Sequence, residues 1–211
     1  MYLSRVEIDL YNRKKYSDLS HVGKYHHWVE ECFPNEIENK ERSRKLWRVD
    51  CLNGRLYLLI VSKVQPNPDK LELYGVKGSG QIKSYDRFLN SLENEKKYRF
   101  RVTLNPVVAI ASGKGKRGRV YPHVTVEQQR KFLLDRAKKN GFFLEENEFN
   151  VVEREFVKFE KANQRSIRLS KVTYEGILTV KDKDTFRKLL VSGFGKKKAY
   201  GFGLMTVIPE V

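Results

Sequence analysis

Cysteine is nearly absent: Cys32 and Cys51 are the only two in 211 residues, and they form no Cys-x-x-Cys pair. That excludes a zinc ribbon and a disulfide scaffold, and both thiols read as ordinary buried cysteines. Long apolar runs are missing too, and no signal-like apolar region follows the opening Met1-Tyr2-Leu3-Ser4-Arg5-Val6. The expectation is a soluble, cytoplasmic chain with no membrane partner. Acid is scarce beside base, with 26 Asp and Glu against 42 Lys and Arg, a formal charge of +16. The natural partner of such a surface is a polyanion. No acidic cluster of metal-ligand character stands out, and neither a Walker A loop nor a dinucleotide fingerprint occurs. No metal and no cofactor are expected.

What is present is a doubled glycine motif near the end of the chain. Gly193-Phe194-Gly195 and Gly201-Phe202-Gly203 bracket Lys196-Lys197-Lys198-Ala199-Tyr200. Glycine permits positive φ and close backbone approach, and N–H groups of such a turn form anion-binding nests. A phosphate cradle and a plain connection between a helix and a last strand are equally good readings of this stretch alone. Base is concentrated elsewhere as well. Lys114, Lys116, Arg117 and Arg119 lie in a glycine-rich loop, and Arg154, Lys158, Lys161, Arg165 and Arg168 lie on and around a strand pair. Each group is a candidate RNA-binding surface, although for any single member a solvated charged face is the better reading.

Periodicity places a strand over Leu3 to Leu10, a helix between Asp18 and Cys32 ended by Phe33-Pro34, and a hairpin from Lys45 to Val61 about Asn53-Gly54. A weak helix around Tyr85 to Leu92 and a strand from Tyr98 to Leu104 complete a β-α-β-β-(α)-β order. The loop from Ser112 to Arg119 reads as a domain boundary. Beyond it come a helix capped by Thr125 and ended by Asn140-Gly141, and two long strands with Asn163-Gln164 at their tip. A helix capped by Asp182 or Asp184, the glycine motif and a strand from Leu204 to Ile208 follow. The predicted fold is α+β, two tandem ferredoxin-like (RRM-like) domains spanning 1–111 and 112–211.

Several segments, in order along the chain, resemble one family. The doubled glycine motif resembles that of the CRISPR repeat-RNA endoribonucleases. Met1 to Val6, Leu46-Trp47-Arg48-Val49-Asp50, Arg99 to Pro106, Tyr174 to Thr179 and Gly195 to Thr206 look like the CasE-type branch of type I-E systems. The resemblance implies metal-independent cleavage of a CRISPR repeat stem-loop and retention of the mature crRNA alongside Cascade protein subunits. It also implies a principal catalytic histidine seven positions before the Phe-Pro that ends the first helix, which is His26.

Read from the residues alone, His26 lies on an apolar stripe with Leu19, Val22, Val29 and Phe33, the pattern of a half-buried core histidine. His27 stands four residues before Glu31, an ordinary surface pairing. The resemblance decides for His26. Where relatives carry a tyrosine three residues earlier, this chain has Gly23. Tyr25 substitutes only if the segment is not helical there, because two positions on a helix turn a side chain by about 200°. The expected site is therefore His26 as base or acid, Tyr25 as second group on that condition, and Lys24 or one of Lys196, Lys197 and Lys198 stabilising charge. Attack by a 2′-OH would leave a 2′,3′-cyclic phosphate and a 5′-OH end. The competing readings are a non-catalytic RNA-binding module and a metal-dependent nuclease.

Overall fold

From Lys97 to Leu104 apolar and polar residues alternate, and a strand sends alternate side chains to opposite faces. Tyr98, Phe100, Val102 and Leu104 are accordingly buried. This strand is central to the architecture. The computed structural model describes residues 1–111, 113, 118–159 and 167–210. Its elements up to that strand are β1 (Tyr2–Glu7), α1 (Arg13–Asp18), α2 (Val22–Glu31), α3 (Pro34–Glu38), β2 (Lys45–Leu52), β3 (Arg55–Ser62), α4 (Pro68–Leu71), β4 (Gln81–Ser84), α5 (Asp86–Asn90) and β5 (Lys97–Leu104). There follow β6 (Val107–Ile110), β7 (Arg119–Pro122), α6 (Val126–Ala137), β8 (Phe142–Phe143), β9 (Phe149–Phe159), β10 (Ile167–Val180), α7 (Lys183–Ser192) and β11 (Met205–Pro209). Short 3-10 turns cover Lys138–Asn140 and Lys198–Tyr200.

One antiparallel sheet has the order β2-β3-β1-β4. With α2 between β1 and β2, and α4 between β3 and β4, this is the split βαβ arrangement of a β-α-β-β-α-β unit. A second sheet has the order β11-β5-β10-β8, and β9 also pairs with β10. Taken as β5-α6-β9-β10-α7-β11, it repeats the same plan. Capping follows the chemistry of the sequence. Thr125 and Gln128 form a reciprocal capping box on α6, Asp182 accepts from the N–H groups of Asp184 and Thr185, and Gly141 ends the α6 segment at φ 79°.

Three expectations are corrected. The strand Lys97–Leu104, assigned above to the first unit, pairs with β10 and β11 and opens the second. The last strand of the first sheet is instead β4, Gln81–Ser84, a short edge strand with no apolar alternation to reveal it. The glycine-rich basic loop joins β6 to β7, a strand pair that follows β5 and so lies between strands of the second sheet. Lys114, Lys116, Arg117, Lys161, Arg165 and the tip Asn163-Gln164 lie outside the described residues. Finally, Cys32 is buried but Cys51 is exposed.

Two apolar cores meet across β2. Trp47 joins Trp28, Val29, Phe33, Leu58 and Ile60 beneath α2. Its neighbours in sequence turn the other way: Leu46 packs with Val102, Leu104, Phe142, Phe186 and Phe194 of the second core. Arg48, 1 % exposed, reaches across to donate to the carbonyls of Arg101 and Leu204, each at 2.8 Å. It also donates to the Thr206 hydroxyl at 2.8 Å and holds Asp50 through two bonds of 2.7 Å. A buried guanidinium is tolerated only when paired and hydrogen-bonded in this way. The pairing locks the first sheet to β5 and β11.

Candidate nucleic-acid interface and active site

Helix α2 starts at Val22, and His21 caps it by accepting the Gly23 N–H on Nδ1 at 3.1 Å. His26 is thus the fifth residue of the helix, one turn in, on the stripe expected from the sequence. Leu19, Val29 and Phe33 of that stripe are buried, whereas the His26 side chain is 33 % exposed. The ring is therefore supported from below and open above. It lies edge-on to Tyr200, centroids 6.1 Å apart at 72°. Its Nδ1 is 4.0 Å from Oε1 of Glu30. Burial pulls its pKa below the ordinary 6.5; Glu30 opposes this, and the charges of Arg42, Lys45 and His27 reinforce it. A neutral imidazole at neutral pH is the form able to accept a proton.

Tyr25 does not meet the condition set for it. The segment is helical, so its ring is turned about 100° from that of His26. It stacks on Trp47 at 5.8 Å and 18°, and burial, then Tyr16, raises its hydroxyl to about 12. Lys24 is exposed. His27 makes the surface pair anticipated for it, 3.5 Å from Glu31.

The glycine motif divides into two roles. Gly193, Gly201 and Gly203, expected among the RNA contacts, are buried and packed against the protein. A Cβ would come within 2.5 Å of Leu46 at Gly193, 2.8 Å of Trp47 at Gly201 and 2.3 Å of the Phe194 carbonyl at Gly203, all three at positive φ. Gly195 is exposed, and a Cβ there would meet only the Leu104 side chain, at 3.9 Å; Lys196 and Lys197 are exposed beside it. Lys198 is half-buried, its pKa lowered by burial and by Arg44. Lys197 Nζ stands 5.9 Å over the Tyr200 ring. The loop therefore packs through its glycines and presents lysines outward. Tyr200 was not singled out from the sequence, and only its place between two glycines hinted that it would be held in position.

Tyr200 lines a cleft of about 460 Å³ together with His21, Val22, Tyr25, Trp47, Lys158 and Lys171. His26 does not line this cleft but meets it through Tyr200, and across it runs the β9–β10 ribbon. There Lys158 lies directly opposite Arg168 in the pairing register, both exposed. Like charges facing each other across strands are destabilising, a cost that a bound polyanion removes. Arg168 also stands 5.6 Å over the Phe156 ring, which is 50 % exposed. Arg154 donates to the Val124 carbonyl at 2.5 Å, and Arg119 is exposed on β7. A second cleft, about 540 Å³, gathers Gly195, Lys196, His123, Lys131 and Arg136. A third, about 550 Å³ on the second sheet, has no histidine, and its Arg101 is already bound to Asp50, Glu153 and Glu175. Among the described residues no three His, Cys, Asp or Glu side chains group as metal ligands do, and no helix is long and apolar enough to cross a membrane.

This arrangement has close counterparts. A sequence model of the family described as CRISPR associated protein matches residues 1–209. The CRISPR-associated endoribonuclease Cse3 of Thermus thermophilus is 25 % identical over 218 residues, covering 99 % of this chain and all of that protein. The solved structure of Thermus thermophilus Cse3 bound to an RNA representing a pre-cleavage complex superposes with TM-score 0.80 at 23 % identity, covering 99 % of this chain and 98 % of that one. Cas6e from Escherichia coli K-12 superposes with TM-score 0.63 at 19 % identity over the whole of both chains. The likeness of fold thus extends over the whole chain. With a family match that runs from the first residue to within two of the last, the chain belongs to the CRISPR-associated protein family.

Proposed function

We propose that the chain is a metal-independent endoribonuclease of the CasE type. It cleaves CRISPR repeat stem-loops in precursor crRNA and stays on the mature crRNA with Cascade subunits in the cytoplasm. The observation that carries this reading is the position of His26. It is half-buried and edge-on to Tyr200 of the glycine loop, which lines a cleft walled also by a ribbon bearing opposed basic residues. The name of the Thermus relative and the RNA bound in its structure support it. We take the two sheets as two ferredoxin-like domains that divide between β4 and β5.

In this mechanism His26, neutral at working pH, takes the proton of the 2′-OH beside the scissile phosphate, or returns one to the departing 5′-oxygen. Lys197 or Lys198, carried by the glycine loop, stabilises charge on the phosphorane-like transition state. The products are a 2′,3′-cyclic phosphate and a 5′-OH end. The ribbon holds the stem through its backbone, since the narrow major groove of A-form RNA hides base edges. The test is incubation of purified protein with a repeat stem-loop in excess EDTA. Cutting should persist, stop with a 2′-deoxy group at the scissile nucleotide, and collapse in His26→Ala. Binding without cutting would identify a non-catalytic module, and loss of cutting in EDTA a metal enzyme.

A further inference from the structure

The carboxylate facing His26 belongs to a buried ion network that the proposed reaction does not otherwise use. Glu30 lies one helical turn beyond His26, its Oε1 4.0 Å from Nδ1 and its Oε2 3.2 Å from Lys45 Nζ. Lys45, on β2, has a side chain only 2 % exposed; its Nζ is 2.6 Å from Glu36 Oε2 and 4.9 Å over the Phe33 ring. Glu36 is itself held by Ser43, whose hydroxyl donates to Oε1 and whose N–H donates to Oε2 at 3.0 Å. Burial acts to raise the Glu36 pKa, but the bonds from Lys45 and Ser43 outweigh it and leave the group ionised. Lys45 is therefore held by Glu36 and by the Ser43 carbonyl at 3.4 Å, and its third donor fixes Glu30.

An i,i+4 histidine–glutamate pair on an exposed helix face is weak and mobile, and His27–Glu31 is such a pair, with side chains 68 % and 29 % exposed. Glu30 differs because a buried lysine stands behind it. The network holds two carboxylates and one ammonium, a net charge of −1, which a protonated His26 would balance. Other charges facing the ring oppose this: Arg42 from the loop before β2, Lys45 itself and His27. Tyr200 covers the ring edge from the glycine loop.

We infer that Glu30, anchored by Lys45 and Glu36, is a positioning residue for His26: it holds the Nδ1 side of the imidazole, leaving Nε2 for RNA, and supports the imidazolium formed after proton transfer. The inference rests on the reading of His26 as the proton-transfer group. At 4.0 Å the contact is electrostatic and not a hydrogen bond; a small side-chain rotation of Glu30, with its second oxygen kept on Lys45, closes it when the ring becomes charged.

The test uses the full chain. Histidine NMR titration should show the His26 pKa lowered in Glu30→Gln, while Glu31→Gln leaves His26 in place. With a repeat stem-loop, single-turnover cleavage by Glu30→Gln should fall about tenfold with RNA affinity unchanged and its pH limb displaced in the same direction as the titration. His26→Ala with Glu30→Gln should be no slower than His26→Ala alone. A folded Glu30→Gln, judged by its thermal midpoint, that keeps the wild-type His26 titration and cleavage rate overturns the inference and leaves the functional reading intact. A wild-type protein that does not cut, or a His26→Ala that cuts at the native rate, overturns the functional reading and the inference with it.

Discussion

The indole of Trp47 fills the space that a side chain at Gly201 would need. A ring carbon sits 2.8 Å from the position of that absent Cβ, and Nε1–H donates to the neighbouring Ala199 carbonyl at 3.1 Å. Tyr25 stacks on the same indole, and Tyr25 precedes His26 on α2. A continuous run of contacts thus leads from the glycine loop, through Trp47, to the helix that carries the histidine.

Gly201→Ala should therefore destabilise the protein. Its φ of +81° is strained for alanine and the methyl meets a buried ring, so a loss at the upper end of about 1–3 kcal/mol is expected. Gly195→Ala also has positive φ, but its nearest neighbour is 3.9 Å away, and it should cost only about 1–2 kcal/mol. Urea unfolding of the two variants measures the difference, and equal losses would contradict the packing account.

Arg48→Met removes the donor that satisfies two buried carbonyls and leaves Asp50 with Arg101 as its remaining cation. Breaking a buried pair from one side costs about 3–5 kcal/mol. The urea midpoint should fall, and RNA cleavage should fall with it because the sheets flanking the cleft lose their link. A variant of native stability would show the bridge to be incidental.

Stability should depend on pH through His26. Its folded pKa is depressed below 6.5, by burial first, so in that window the unfolded chain binds the proton that the folded chain does not. The contribution is complete above 6.5 and is lost as pH falls through the folded value. Unfolding free energies measured from neutral pH downwards should decline, and His26→Ala should make the decline shallower. A steeper decline in the variant would reverse the assigned sign.

Lys158→Ala removes one of two like charges that face each other across β9 and β10. Fold stability should hold or rise by a few tenths of a kcal/mol. RNA affinity should drop, with the salt dependence of binding shallower by about one counterion. An unchanged salt slope would remove Lys158 from the phosphate-contacting surface.

Much of this protein was legible along the chain. The hairpin about Asn53-Gly54, the caps at Thr125 and Asp182 and the left-handed stop at Gly141 are local features, set by interactions among residues close in sequence. The apolar stripe carrying His26 and the excess of base could likewise be read without coordinates. Strand ownership could not: Lys97–Leu104 has the same alternation whichever sheet it joins, and only its partners, about 70 and 105 residues further on, assign it. The roles of the glycines were hidden for the same reason, since whether Gly201 meets RNA or an indole depends on Trp47, far away in sequence. Nothing along the chain sets Glu30 apart; only folding places Lys45 and Glu36 behind it. Short-range chemistry, written in the sequence, determined the elements and the charge; long-range contacts, which exist only once the two sheets pack across β2, decided which side chains face His26.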